Sequence, residues 1–258
     1  MIPISACLIT LNEEHNLPRA LASLQGIVEE ILVVDSGSTD RTVEIARAAG
    51  ARVLSRAWSG YAEQKNYAAE QATHEWVLSL DADEELSTAL QGALLKWKAG
   101  EPSAVVYEVS RRTWYLGAWI RHSGWYPDYQ RRLFRRDAAR FAGLVHESLQ
   151  PAQANARVGR LAGDLLHYTV RSFAEHEANV EHYTTLAAEQ LYRAGRRKWR
   201  GAMRVAAPWA WLRSYVLQGG FLDGARGAMI ARMAARGVRL KFAKLGRLIE
   251  QGGRGASA

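Results

Sequence analysis

The chain has 258 residues, of which 48% are hydrophobic and 23% charged, and its single cysteine is Cys7. A chain of this length buries roughly 70–75% of the surface its unfolded form exposes, so it needs no covalent staple, and its composition excludes wholesale disorder and low-complexity classes. One cysteine excludes an internal disulfide framework and any multi-cysteine zinc site, and fits a reducing compartment. The net charge of +8 is unevenly spread: residues 190–258 hold 15 Lys+Arg against 2 Asp+Glu, whereas residues 1–189 hold 19 against 24. That asymmetry predicts a tail that meets an anionic surface, either membrane or nucleic acid.

Residues 1–7 lack the basic start of a signal peptide, so none is expected. The apolar stretches 205–212 and 214–222 are separated by Arg213 and fall short of the ~20 residues a spanning helix needs. In chain order, Ile4 to Thr10 reads as a buried strand, and Asn12 as the cap of a helix whose apolar face is Leu17, Leu21 and Leu24. Ile31 to Val34 is a second strand, followed by the turn Ser36 to Asp40 and a helix bearing Val43 and Ala46 that Gly50 closes. Arg52 to Leu54 is a short third strand, a helix runs from about Gly60 to Ala72, and Trp76 to Leu80 is a fourth strand. Apolar strands alternating with helices predict an α/β fold with a mostly parallel central sheet, whose strand carboxyl ends share the ligand-binding edge.

After residues 99–103 the pattern changes. Residues 104–116 and 129–136 read as strands around an aromatic-rich loop with Trp114, Tyr115, Trp119, Trp125 and Tyr126, and residues 150–156 read as a loop. Ser172-x-x-Glu175 is a capping box opening a long helix with Phe173, Val180, Tyr183, Ala187 and Leu191 on its apolar face. From Arg196 onward the chain reads as helical and basic. The predicted division is one domain over 1–170, in two parts, 1–100 and 101–170, and a helical extension over 171–258.

Polar and acidic groups follow three of the strands: Thr10 to Glu13, Asp35, and Asp81-Ala-Asp83. At an extended strand end a spacing of two aims both carboxylates to one side, and two carboxylates sharing a site call for a cation between them. Mg²⁺ or Mn²⁺, completed by substrate phosphates, fits that chemistry. The plainer alternative is a solvated acidic turn, Glu84 and Glu85 included, that leads to a helix cap at Ser87.

Thr10-Leu-Asn-Glu13, Val33 to Asp40, Gln64-Lys-Asn66 and Leu80-Asp-Ala-Asp-Glu84 resemble, in order and spacing, the family 2 glycosyltransferases of the GT-A (nucleotide-diphospho-sugar transferase) fold. Trp125 to Arg135, Val145-His-Glu147 and Gly220 to Gly224 narrow the likeness to the bacterial lipopolysaccharide inner-core β-1,4-glucosyltransferase subgroup. The resemblance implies a metal-dependent inverting transfer of a hexose, glucose from UDP-glucose, onto a lipid-linked acceptor, the heptose of the lipopolysaccharide core. It implies a nucleotide-sugar site of Thr10, Asn12, Glu13, Asp35, Lys65 and Asp81, with Arg132 clamping a phosphate group. The metal would sit on Asp81 and Asp83, with His146 completing its shell. Asp128 is the first candidate for the base and Glu147 the second; Pro127 stands where the commonest family pattern has Glu.

For the tail, Val238, Phe242, Leu245 and Ile249 share one helical face and Arg239, Lys241, Lys244 and Arg247 occupy others, a pattern of a helix lying in an anionic membrane surface. The alternative is helices packed on the 1–170 domain with a solvated basic face, and the two readings are compatible. No nucleic-acid reader motif is present. The expected location is cytoplasmic, peripheral on the inner membrane. Two other functions are compatible with parts of the sequence: a catalytically inactive nucleotide-binding protein at a membrane surface, and a sugar-phosphate nucleotidyltransferase.

Overall fold

The computed structural model describes residues 1–143, 147–170, 172–197 and 199–255. The first half follows the alternation read from the sequence: β1 (Ile4–Thr10), α1 (Leu17–Leu24), β2 (Glu30–Asp35), α2 (Thr42–Ala48), β3 (Arg52–Ser55), α3 (Tyr61–Gln71) and β4 (Trp76–Ser79). Then come β5 (Glu84–Leu86), α4 (Thr88–Ala99), β6 (Val106–Tyr115), β7 (Ala118–Trp119), β8 (Asp128–Arg135), β9 (Ala139–Ala142), β10 (Ser148–Pro151) and β11 (Val158–Val170). Helices close the chain: α5 (Phe173–Arg193), α6 (Arg200–Leu212), a π-helical turn Arg213–Leu217, a 3-10 turn Gly220–Asp223, and α7 (Gly224–Gly255).

The main sheet runs β3-β2-β1-β4-β8-β6-β11-β5, with β7 beside β6. Strands β1 to β4 are parallel to one another, and β8 joins β4 antiparallel. The parallel strands β1, β2 and β4 are largely buried on both sides, as their apolar runs require, and β3 at the sheet edge is partly exposed. Ile4, Ala6 and Leu8 pack with Leu17, Leu21 and Leu24 of α1 on one face, while Cys7, Leu32 and Val34 pack with Ala68 and Ala69 of α3 on the other. Parallel pairing aligns Thr10 with Asp35. The antiparallel β8 starts, at Asp128, on the edge where β4 ends.

Several expectations need correction. The first helix begins at Leu17, capped at Asn16 rather than Asn12, because Asn12 adopts a left-handed conformation in the loop that precedes it. The segment 150–156 is not wholly loop, since β10 pairs with β9. Glu84 and Glu85 lie in a strand opposite β11, not in a solvated turn. Ser87 does cap α4, accepting from Leu90 N, and Ser172 caps α5, accepting from Glu175 N. The fully buried face of α5 carries His176, Thr184 and Ala188, and Phe173 and Tyr183 are exposed.

Two compact units emerge, residues 1–112 with 128–168, and residues 113–127 with 169–258. The aromatic loop thus groups with the C-terminal helices instead of the 101–170 part of a 1–170 domain. Within that second unit Asp223 accepts from the backbone N–H of Arg121 and His122 and lies 3.0 Å from His122 Nδ1, which anchors the loop. Gly227 has no alternative, because a Cβ there would collide with the carbonyl oxygen of Gly220. The apolar face of α7 is covered. Phe242 and Leu245 are buried with Ala188, and Val238 and Ile249 pack against them. The expectation that this face lies in a membrane is therefore overturned.

Candidate active site

The edge holding the carboxyl ends of β1, β2 and β4 is built by two loops that bind each other. Asn12 N donates to Ser38 Oγ at 2.8 Å, and Asn12 Oδ1 accepts from Thr39 N at 2.8 Å. Glu13 N donates to Thr42 Oγ1 at 2.7 Å, and the Glu13 carboxylate accepts from Asn16 Nδ2 at 2.8 Å. Asp35 is buried and accepts from Thr10 Oγ1 at 2.9 Å, Gly37 N at 2.9 Å, Ser38 N at 2.8 Å and Ser38 Oγ at 2.5 Å. Burial works to raise its pKa, but these donors hold it below the ordinary carboxylate value. Both oxygens are thus engaged within the chain, and Asp35 organises the loop.

The Asp81-Ala-Asp83 segment is a turn, closed by Glu84 N donating to Asp81 O at 3.0 Å, and not the extended end the sequence suggests. The turn gives the two aspartates different partners. Asp81 Oδ1 lies 2.9 Å from Lys65 Nζ and Asp81 Oδ2 lies 2.6 Å from Arg132 Nη2. Burial works against its ionisation, yet Arg132 and Lys65 on either side hold its carboxyl well below the usual carboxylate range. Asp83 Oδ2 instead lies 3.2 Å from Nε2 of His167, on β11.

Lys65, buried on α3, also donates to Glu147 Oε1 at 3.0 Å. Arg132, buried on β8, donates to Glu84 Oε1 at 2.6 Å as well as to Asp81. Both contacts are made through Nη2 of Arg132, which ties Asp81 to Glu84. Burial would depress the Arg132 pKa, but Asp81 and Glu84 push it up. Glu84 Oε1 lies 3.6 Å from Arg111 Nη1, and Arg111 Nη2 is 2.7 Å from Asp128 Oδ2. Asp128 Oδ1 accepts from Gln130 Nε2 at 2.8 Å. One row of alternating charge therefore runs Glu147, Lys65, Asp81, Arg132, Glu84, Arg111, Asp128. It joins both candidate bases to the first aspartate of the motif.

Glu84, Arg111 and His167 are site residues that sequence reasoning missed. Glu84 is 0% exposed and touches two arginines. Removing one partner of such a buried pair costs roughly 3–5 kcal/mol, so Glu84→Ala is expected to lower the unfolding free energy by about that amount in denaturant titration. His167 pairs across the sheet with Glu84, and its signal was the β-rich run that ends β11. His146 lies outside the described residues.

The residues present bear on where a divalent ion fits. Among the described residues no cluster of three His, Cys, Asp or Glu side chains gathers to hold one. The Asp83 oxygen and His167 nitrogen stand 3.2 Å apart. A carboxylate oxygen and an imidazole nitrogen are donors that would hold Mg²⁺ or Mn²⁺, and such an ion would supply charge neutralisation to a phosphate group. Asp81 is shared by Lys65 and Arg132, so the two aspartates of the motif have different partners.

The model of "Glycosyl transferase family 2" matches residues 5–148. The lipopolysaccharide core biosynthesis glycosyltransferase LpsC of Rhizobium meliloti is 34% identical over 91% of this chain and 91% of its own. An uncharacterized glycosyltransferase of Rickettsia prowazekii is 28% identical over 95% of this chain and 87% of its own. Among solved structures, Staphylococcus aureus TarS 1–349 in complex with UDP-GlcNAc superposes with a TM-score of 0.50 at 18% identity, covering 97% of this chain and 92% of that one. The strand-end loops, the ion-paired aspartate turn and these likenesses converge: the chain belongs to glycosyl transferase family 2 and is a glycosyltransferase with the GT-A fold.

Proposed function

We propose that this protein is an inverting glycosyltransferase that moves glucose from UDP-glucose onto a lipid-linked saccharide, the heptose of a lipopolysaccharide core, at the cytoplasmic face of the inner membrane. The likeness to LpsC supports the acceptor class. The observation that carries the reading is the row of ion pairs joining Asp81 to Asp128 along one sheet edge. It supports the reading because it links the candidate base Asp128 to the Asp81-Ala-Asp83 turn through a chain of ion pairs.

In this reading the loops of Thr10, Asn12, Glu13 and Asp35 hold the nucleoside, and Asp83 with His167 holds Mg²⁺ or Mn²⁺. Such a cation, when bound, supplies charge neutralisation to a diphosphate leaving group. Asp128 takes the proton of the acceptor hydroxyl as that oxygen attacks the anomeric carbon, opposite the departing diphosphate. Arg111 grips Asp128 Oδ2 through two nitrogens, at 2.9 and 2.7 Å, and aims it. Oδ1 accepts from the neutral Gln130 amide and keeps a lone pair for the proton. Glu147, the second candidate, is tied to buried Lys65 and is the less exposed of the two, at 20% against 36% for Asp128.

A panel of nucleotide-sugars scored for binding and for nucleotide release, with Mn²⁺ or Mg²⁺, tests this. UDP-glucose with metal is expected to bind and to release UDP faster than its epimers. Retention of an intact donor under every condition overturns the enzymatic reading in favour of an inactive nucleotide-binding protein. The family assignment sets aside the sugar-phosphate nucleotidyltransferase.

A further inference from the structure

Helix α6 and the π-helical turn after it are built inside out. Val205, Trp209, Leu212 and Val216 recur at spacings of four, three and four, which places them on one helical face, and all four are exposed, Val205 at 73%. The opposite side carries small residues: Ala207 and Ser214 are buried, and Ala206 packs into the cluster around Phe242. Leu217, Phe221 and Leu222 extend the exposed apolar surface past the helix end. Of the seventeen large apolar side chains exposed among the described residues, eight lie within residues 205–222. Scattered apolar residues need no explanation, but a concentration of this kind marks a binding face.

Its charge identifies the occupant. Residues 190–222 contain seven Lys+Arg and no Asp or Glu. Arg204 and Arg213, on either side of the apolar stripe, are exposed and make no ion pair among the described residues. Trp209 and Trp211 add the amphipathic rings favoured where hydrocarbon meets headgroups. A two-fold contact between copies of this face would gather arginines with no acidic side chain from residues 190–222 to pair them, whereas an anionic bilayer attracts them. No helix among the described residues is long and apolar enough to cross a membrane.

We propose that the α6 stripe and the turn after it dock in the plane of an anionic lipid surface, in place of the covered face of α7. The proposal deepens, and rests on, the reading of a lipid-linked acceptor, because it supplies the surface that brings the enzyme to such a substrate. Its test compares the full chain with the triple variant Val205→Ser/Trp209→Ser/Val216→Ser. Co-sedimentation uses phosphatidylcholine vesicles with and without phosphatidylglycerol. The original chain is expected to pellet with the anionic vesicles and to show quenching of its tryptophan fluorescence by brominated lipid. The triple variant is expected to bind about tenfold or more weakly, since three buried apolar side chains are lost. Arg204→Glu/Arg213→Glu is expected to remove the salt-sensitive part of binding. Equal pelleting by the triple variant overturns the proposal. So does a dimer of the original chain, in light scattering, that the triple variant dissolves. UDP-sugar binding in the absence of vesicles, measured on the same samples, separates the two readings: a variant that keeps it but loses vesicles fails only in docking, and an original chain that binds vesicles but no UDP-sugar fails only in the donor site.

Discussion

Asp83→Ala is expected to abolish transfer, by about 10³-fold or more, while the fold persists. The asymmetry of the turn explains why Asp83 and not Asp81 gives the cleaner result. Asp81 is bound to two buried cations, so Asp81→Ala strips a partner from both Lys65 and Arg132 and damages the scaffold along with the site. Asp83 touches His167 across 3.2 Å, and a quarter of its side chain still reaches solvent. Its loss removes a carboxylate ligand and leaves the ion-paired row intact. The checks are UDP release, thermal unfolding and manganese binding measured on the same preparation. Unchanged turnover, or manganese binding equal to that of the original chain, removes the metal reading. His167→Ala is expected to weaken manganese binding in the same direction, which distinguishes a ligand from a bystander.

Much of this site was legible because it depends on local chain order. Thr10, Asp35 and Asp81 each follow an apolar run, and an apolar run buried on both faces can only be a strand of a covered sheet. Parallel crossovers then place the strand ends together, so the clustering of Thr10 with Asp35 follows from connectivity alone. The cap of α5 was equally plain, because Ser172 and Glu175 interact within one turn.

What the sequence hid depends on long-range pairing. Glu84 sits in an acidic run whose local character is that of a solvated turn; its burial is decided by Arg132 and Arg111 arriving from β8 and β6. His167 falls in a segment with no predicted element, and its place beside Glu84 is set by β11 pairing with the three-residue β5. The helices illustrate a deeper ambiguity. An amphipathic pattern states that a face seeks apolar surroundings, but not whether protein or lipid supplies them. In α7 the face is filled by Ala188 and its neighbours, whereas in α6 the alanines turn inward and the large side chains stay outside.

Asp128→Asn is expected to cut transfer by roughly 10²–10⁴-fold and leave UDP-sugar affinity nearly unchanged. Asparagine keeps the shape of the side chain and can still accept from Arg111, so the row of ion pairs loses one charge at its exposed end and no buried partner is stranded. It cannot accept the acceptor proton. In the proposed reading donor binding rests on the loops of Thr10 and Asp35 and on Asp83, none of which touches Asp128 among the described residues. A loss confined to kcat with an unaltered donor dissociation constant therefore identifies a group that acts in the transition state. Glu147→Gln is the matched comparison, since it too removes one charge from the end of the same row, next to Lys65. If Glu147→Gln shows the large kcat loss and Asp128→Asn does not, the base is Glu147. In that case the grip of Arg111 on Asp128 serves the fold of β6 on β8.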